Sequence, residues 1–509
     1  MKKILFLKNA IIMAVTSLIL RTVGIFFRVW LSSAIGAEGI GLYQVIFSVY
    51  VLASTFATSG ICTAVTRITA GKMAVGDNKG ALRCVKISVL LSSAIALISM
   101  VSLILFARPI SLYIIKDSRA EISIRILSLS LPFMGICSCI RGYFLARRST
   151  LPPSFCQMAE QLVRIPLIMF LVTKTAPYGL SATSAAVITG DVVSEVLGAL
   201  LLWFCYRGDK KRLKKNQTSQ GGILKELLRI ATPISAGRYL HTGLRTGENL
   251  LTPICLSKYC ADSSLGLGQF GMVKGMALPL LLFPASLLSS VSTLLVPEMT
   301  EAMEKNNKDL IRSAVDRIFY LTAVFSFLIG GVFFVASGQV GEIFYKSREV
   351  GYLIRALAPL VPFMYIDLIA DGILKGLDQQ KVLLRNNVID SSVRIILVFI
   401  LVPRFGMTGF LGVMLFSNLF TAIVSVVRII KVTHLQFGIY KNLFVPFLSV
   451  FVASAIVQKL IRPFSNNFYL YTLVAILGIT VLYFVLMIIM NGKELIKIFP
   501  QKQRTFKKV

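Results

Sequence analysis

Residues 124–172 read IRILSLSLPFMGICSCIRGYFLARRSTLPPSFCQMAEQLVRIPLIMFLV, and residues 354–402 read IRALAPLVPFMYIDLIADGILKGLDQQKVLLRNNVIDSSVRIILVFILV. Laid over each other without a gap, at a shift of 230, they agree at 14 of 49 positions. Pro132-Phe133-Met134 falls on Pro362-Phe363-Met364, Gly142 on Gly372, and Val163-Arg164-Ile165 on Val393-Arg394-Ile395. The acid one turn before the arginine is kept, as Glu160 and Asp390. Each stretch holds two apolar runs near the ~20 residues that a membrane crossing needs. Neither shows the period-two alternation of barrel strands, so both read as helices, which satisfy their own backbone polar groups in lipid.

Outward from this repeat, apolar runs predict helices at roughly 9–33, 43–66, 87–107, 122–145, 156–173, 182–206, 224–255, 268–297, 311–336, 351–374, 382–402, 407–430, 442–461 and 468–490. The expected fold is an all-α polytopic membrane protein of about fourteen crossings. The shift spans six of them. Six is even, so the two copies share one orientation and are related by an axis along the membrane normal. Transporters built from such halves place substrate between them, near the bilayer midplane. The expected organisation is an N-terminal lobe at 1–206, a basic linker at 207–222, a C-terminal lobe at 223–437, two extra helices at 438–491 and a basic tail at 492–509.

Composition agrees. Of 509 residues, 56% are hydrophobic and 15% charged, with a mean hydropathy of +0.77; soluble domains carry about 25% charged residues. The net charge of +31 does not imply nucleic acid, because the basic residues punctuate the ends of apolar runs. Of the 54 lysines and arginines, 35 fall at the termini and even-numbered junctions, and 12 at the opposite junctions. That asymmetry places both termini and the 207–222 linker in the cytoplasm of a multi-pass cell-membrane protein. The tail from Lys493 reads as an anchor against anionic lipid headgroups. The first apolar run has no small-residue cleavage site and reads as retained. Cys137 and Cys139 have no His or second Cys pair nearby, so no metal site is expected. Cys255 and Cys260 read as free thiols.

Seven basic residues remain inside the spans. Charge at mid-bilayer costs about 2.5–3.5 kcal/mol on insertion scales and is a functional signal by default. Arg21 and Arg28 are seven apart in the first span, as are Arg238 and Arg245 in the seventh; that spacing falls roughly 20° short of two full turns, so each pair shares a face. His241, Glu248 and Asn249 continue the face of Arg238 and Arg245, and Lys274 starts the eighth span. Glu160 with Arg164, and Asp390 with Arg394, have the spacing of ion pairs within a helix. Asp191 with Glu195, and Asp367 with Asp371, are like-charged at the same spacing and require water, an arginine or a cation beside them. The arginine surplus makes an electropositive site suited to phosphate or carboxylate oxygens, which guanidinium binds through paired hydrogen bonds. A diphosphate suits it well and a cationic drug badly.

The run Leu20-Arg21…Arg28-Val29, followed by Ile35-Gly36-Ala37-Glu38-Gly39-Ile40-Gly41-Leu42-Tyr43-Gln44, resembles the stage V sporulation protein B family and related polysaccharide-export proteins. Ser289–Ala302 and Ile373–Gln380 are similar to later segments of the same family. These proteins belong to the MOP exporter superfamily, with MurJ-type lipid II flippases, Wzx-type flippases and MATE drug antiporters. The resemblance implies two six-helix lobes opening alternately to each side. It also implies a cationic cavity for the diphosphate and sugars of an undecaprenyl-linked precursor, with the lipid tail left in the bilayer. Arg21, Arg28, Arg238 and Arg245 match the branch's basic positions. Related flippases hold a sodium ion through an Asn and an Asp four apart; Asn386 and Asp390 have that spacing, and Arg394 departs from a clean cation site. No cofactor is implied, and the driving force is Na+, H+ or the membrane potential. The partners implied are a lipid-linked glycan precursor, membrane lipids and cell-wall synthases.

The leading reading is therefore a lipid-linked oligosaccharide flippase serving peptidoglycan or polysaccharide synthesis, with sporulation as one setting. A MATE-like cation-coupled antiporter would want acids and aromatics in its cavity. A membrane glycosyltransferase would want paired catalytic acids or a metal spacing, and neither appears. A scaffold for cell-wall synthases that has lost transport is the third alternative.

Overall fold

The computed structural model describes residues 2–213, 222–305, 307–435, 438–461 and 468–498. Residues 214–221, half of the expected 207–222 linker and including Lys214 and Lys215, lie outside them, as does the tail beyond 498. Every element formed by the described residues is helical. Eight stretches are long and apolar enough to cross a membrane, or ten when two bent helix pairs each count as one. Three of the eight, Ile19–Ala74, Leu151–Arg212 and Gln380–Thr433, run to 56, 62 and 54 residues. Each is more than twice the ~20 residues of a single crossing, so each supplies two. The helix Ile223–Cys260 has 38 residues. It is long enough to cross but too polar to be among the eight. So counted, the chain is consistent with the fourteen expected crossings.

Two of the predicted loops shrink to single glycines. Gly36, at φ 70 and ψ 177, breaks the helix Lys2–Thr58 where a loop is expected after residue 33. Gly406, at φ 54 and ψ −131, breaks Gln380–Thr433 where one is expected after residue 402. Both conformations strain a residue with a Cβ, and glycine adopts them freely. A chain can therefore turn from one crossing into the next with few unpaired backbone groups, which lipid would penalise.

The repeat is written into local geometry. Leu131–Ala146 and Val361–Gly376 are both 16-residue helices and coincide under the shift of 230. Lys116 and Lys346, also 230 apart, are left-handed residues at φ 62 and 49, each closing the helix before it. Arg148 and Asp378 form a third equivalent pair, both at φ 55. Non-glycine residues take this conformation rarely and as single positions. Three matches at one shift are the structural counterpart of the sequence duplication.

Packing divides the chain into two compact units: Met1–Gly275 with Ser391–Phe410, and Met276–Asp390 with Leu411–Val509. The first has a core around Ile140, Tyr143, Phe144 and Leu202. The second has one around Met299, Phe319, Ile369 and Ile373. Residues 223–275 pack with the first sequence copy. A Cβ on Gly41 would stand 2.1 Å from the Leu267 carbonyl, and one on Gly271 2.1 Å from the Ala37 carbonyl. Gly41 of the 35–44 motif and Gly271 opposite it thus let two backbones touch.

Candidate substrate-binding face and its charge clusters

Four polar side chains clamp Ile223–Cys260 to the first helix and the turn that follows it. The Ser235 hydroxyl donates to the Ser59 carbonyl (2.7 Å), and the Tyr239 hydroxyl to the Phe56 carbonyl (3.2 Å). The Thr246 hydroxyl donates to the Ser48 carbonyl (3.0 Å), and the Asn249 amide to the Ser48 hydroxyl (3.1 Å). The Phe56 and Tyr239 rings lie 4.7 Å apart. At 100° per residue, Arg238, His241 and Arg245 fall in a sector beside this clamped stripe, roughly 60–120° around the helix from Ser235. Arg238 and Arg245 are exposed and His241 is half-buried. Arg21 and Arg28, on the first helix, are exposed as well. Among the described residues none of these four arginines forms an ion pair.

Glu248, the acid nearest Arg245 in sequence, is taken by other cations. It is 1% exposed. Lys274 Nζ lies 3.4 Å from Oε1, and Arg394 Nη1 lies 3.2 Å from Oε2. Lys274 stands 6.0 Å from the Phe410 ring centroid. It projects from Met272–Ala277, a wide π-helical turn of the kind often found at functional positions. One carboxylate is thus shared by two cations.

Arg164 takes different partners. It pairs with Glu160 on its own helix, as the spacing predicts, and its Nε lies 3.3 Å from Asp191 and 3.2 Å from the Ser194 hydroxyl. The Tyr43 hydroxyl donates to Asp191 at 3.0 Å. The Tyr50 hydroxyl donates to Glu195 at 3.0 Å and shares a hydrogen bond with Ser130. The like-charged pair Asp191 and Glu195 therefore meets an arginine and two phenols. In the second unit Asp390 accepts from the Ser417 hydroxyl at 2.6 Å. Asn386, one turn away, is buried, and its Nδ2 has no hydrogen-bond partner. Asp367 accepts from Ser425 at 3.0 Å, and Asp371 pairs with Lys375.

Two cavities of the first unit were not legible in the sequence. One, of about 480 Å³, is apolar, lined by Phe56, Ile98, Leu103 and Leu250, with Thr246 at its wall. The other, of about 790 Å³, is lined by Arg67, Lys72, Glu226 and Arg229, on helices Ile61–Ala74 and Ile223–Cys260. Both need residues brought together from distant parts of the chain. All eight cysteines are free thiols. No group of three His, Cys, Asp or Glu able to hold a metal occurs among the described residues.

The chain matches the family described as polysaccharide biosynthesis protein twice, over residues 6–303 and over 265–483. It is 25% identical over 470 residues to stage V sporulation protein B of Bacillus subtilis (strain 168), a match covering 90% of each chain. Its fold is similar to the lipid II flippase MurJ in an inward closed conformation, with a TM-score of 0.71 at 14% identity over 97% of this chain and all of that one. It is also similar to an inward-facing multidrug resistance MATE family transporter of the MOP superfamily, with a TM-score of 0.62 at 16% identity over 83% of this chain and 99% of that one. The chain belongs to the polysaccharide biosynthesis protein family, and it has the membrane fold of the MOP superfamily.

Proposed function

We propose that this protein is an alternating-access flippase that moves an undecaprenyl-diphosphate-linked oligosaccharide, a precursor of peptidoglycan or another polysaccharide, across the cell membrane. The observation that carries this reading is the charge balance along Ile223–Cys260. Glu248 is already held between Lys274 and Arg394 and forms no ion pair with Arg238 or Arg245 among the described residues. Those two, with Arg21 and Arg28, remain exposed and without ion pairs among the described residues. Arginines left unpaired at membrane depth are stabilised by an anion that arrives, and a diphosphate offers oxygens to several guanidinium forks at once. The apolar cavity at Phe56, Ile98 and Leu250 supports the reading further, because a lipid-linked substrate brings an apolar chain with its charged head. The names of the sporulation and flippase relatives agree with it, and spore-envelope synthesis is the first setting to test.

In this reading both termini and the linker are cytoplasmic, and cell-wall synthases use the product. Asn386 and Asp390 hold a coupling sodium ion, supported by their spacing of one helical turn and by the carboxylate and hydroxyl oxygens of Asp390 and Ser417. Coupling to H+ or to the membrane potential is the alternative. A MATE-like antiporter of organic cations fits the exposed arginines less well.

The test is extraction of lipid-linked precursors from depleted cells, with an assay of the leaflet that holds them. Arg21→Ala, Arg238→Ala and Arg245→Ala should each abolish complementation at normal membrane levels. Lysine at the same positions should restore only part, because it keeps charge and loses the paired donors. Normal expression with full activity across the alanine set would move the antiporter and scaffold readings ahead.

A further inference from the structure

The second unit has a separate site that the proposed transport does not use. Helices Lys308–Tyr345 and Arg348–Leu357 meet through glycines: a Cβ on Gly341 would stand 2.5 Å from the Gly351 nitrogen. This close approach brings Glu342, Arg348 and Arg355 around one cavity of about 280 Å³, with Gln339, Tyr352 and Tyr471 in its wall. The three charges do not neutralise one another. Glu342 Oε2 is buried and has no hydrogen-bond partner. Among the described residues neither arginine forms an ion pair. Arg355 lies over the Phe334 ring at 4.9 Å, and Arg348 opens its helix.

A buried carboxylate oxygen with no partner bears the full desolvation penalty, and in native proteins it calls for an explanation. An arginine in the first turn of a helix opposes the helix dipole, so an anion beside Arg348 relieves two positive ends together. Arg348 and Arg355 are seven apart, on one face. A simple anion would satisfy the arginines and repel Glu342. A simple cation would do the reverse. The cavity lies where helices end: at the last turns of Lys308–Tyr345, the first of Arg348–Leu357 and the first of Phe468–Ile498. Tyr352 and Tyr471 are the residue type enriched at headgroup depth.

The geometry points to a binding site for a zwitterion carrying a phosphate and a primary ammonium. The phosphate is held by Arg348 and Arg355, and the ammonium donates to Glu342 Oε2. A phosphoethanolamine headgroup has this chemistry, either on a bilayer lipid or as a free molecule.

The test uses the full-length protein in phosphatidylcholine nanodiscs doped with phosphatidylethanolamine or phosphatidylglycerol, with retained lipid read by native mass spectrometry. Phosphatidylethanolamine should be retained about tenfold over the other two, since a charged hydrogen bond is gained only with the primary ammonium. Glu342→Gln, nearly isosteric, should bring it down to the level of phosphatidylglycerol. Arg348→Ala with Arg355→Ala should lower retention of both. Displacement by soluble phosphoethanolamine would assign the site to a free ligand, and retention of the lipid against it would assign the site to the bilayer. Equal retention of the three lipids by the unaltered protein, or an unchanged preference in Glu342→Gln, would overturn the proposal. Transport assays of the helix Ile223–Cys260 arginines are independent of either result.

Discussion

Arg164 and Arg394 occupy the same place in the two sequence copies, yet the partners they take from other helices differ. Around Arg164, one guanidinium meets Glu160 and Asp191, with Glu195 one turn beyond on a phenol. Around Arg394, one carboxylate, Glu248, meets two cations. The backbone kept its landmarks through duplication: the paired 16-residue helices, the left-handed lysines at 116 and 346, and the turn residues at 148 and 378. The charge partners did not stay equivalent. A duplicated membrane bundle conserves what lipid enforces, which is helix length and satisfied backbone. The polar lining is free to diverge, and the two arginines have come to pair with different helices.

The largest expected effect tests the Glu248 side. Glu248→Ala would leave Lys274 and Arg394 buried without their shared partner, at a cost of about 3–5 kcal/mol. Folded protein recovered by fluorescence-detected size exclusion should fall sharply. If it is unchanged, the cluster is not structural and the contrast between the copies fails. Next comes Arg164→Ala. Losing the cation between Glu160 and Asp191 should destabilise by about 2–3 kcal/mol, less than for Glu248 because Arg164 is more exposed. Glu160→Gln should restore much of it in the double variant, read as melting temperature in detergent. A rescue of the Glu248 variant by that same substitution would erase the distinction. The smallest effect sharpens the likeness. Lys116→Gly and Lys346→Gly should each stabilise by about 0.5–1 kcal/mol, since glycine takes the left-handed cap without strain. Gains that differ between the two would show that the equivalence of their backbones is only approximate.

What could be read from the sequence was periodic or local. Apolar run lengths gave the crossings, the ungapped match of Arg164 with Arg394 gave the duplication, and the seven-residue spacing of Arg238 and Arg245 put them on one face. The i,i+4 pair of Glu160 and Arg164 was legible for the same reason. The partners of the other charges were not. Arg394 finds Glu248 146 residues away, Tyr43 finds Asp191 148 away, and Tyr50 finds Glu195 145 away. Tyrosines within an apolar run look like packing residues until the acid arrives from another helix. The cavity of Glu342, Arg348 and Arg355 was hidden by the junction they flank, where charged residues ordinarily mark nothing more than the end of a span.

The clamped helix Ile223–Cys260 has a consequence for biogenesis. With three arginines, two lysines, two glutamates and a histidine along its length, it is the long helix that falls short of the hydropathy met by its neighbours. On insertion scales each such charge near the bilayer centre costs about 2.5–3.5 kcal/mol. A translocon releasing helices one by one would gain little by passing this one to lipid alone. Its hydrogen bonds to Ser48, Phe56 and Ser59 supply a protein surface in place of lipid. That surface is synthesised 176–198 residues earlier, so the N-terminal bundle is in place to act as an intramolecular insertion chaperone for the helix that carries Arg238 and Arg245.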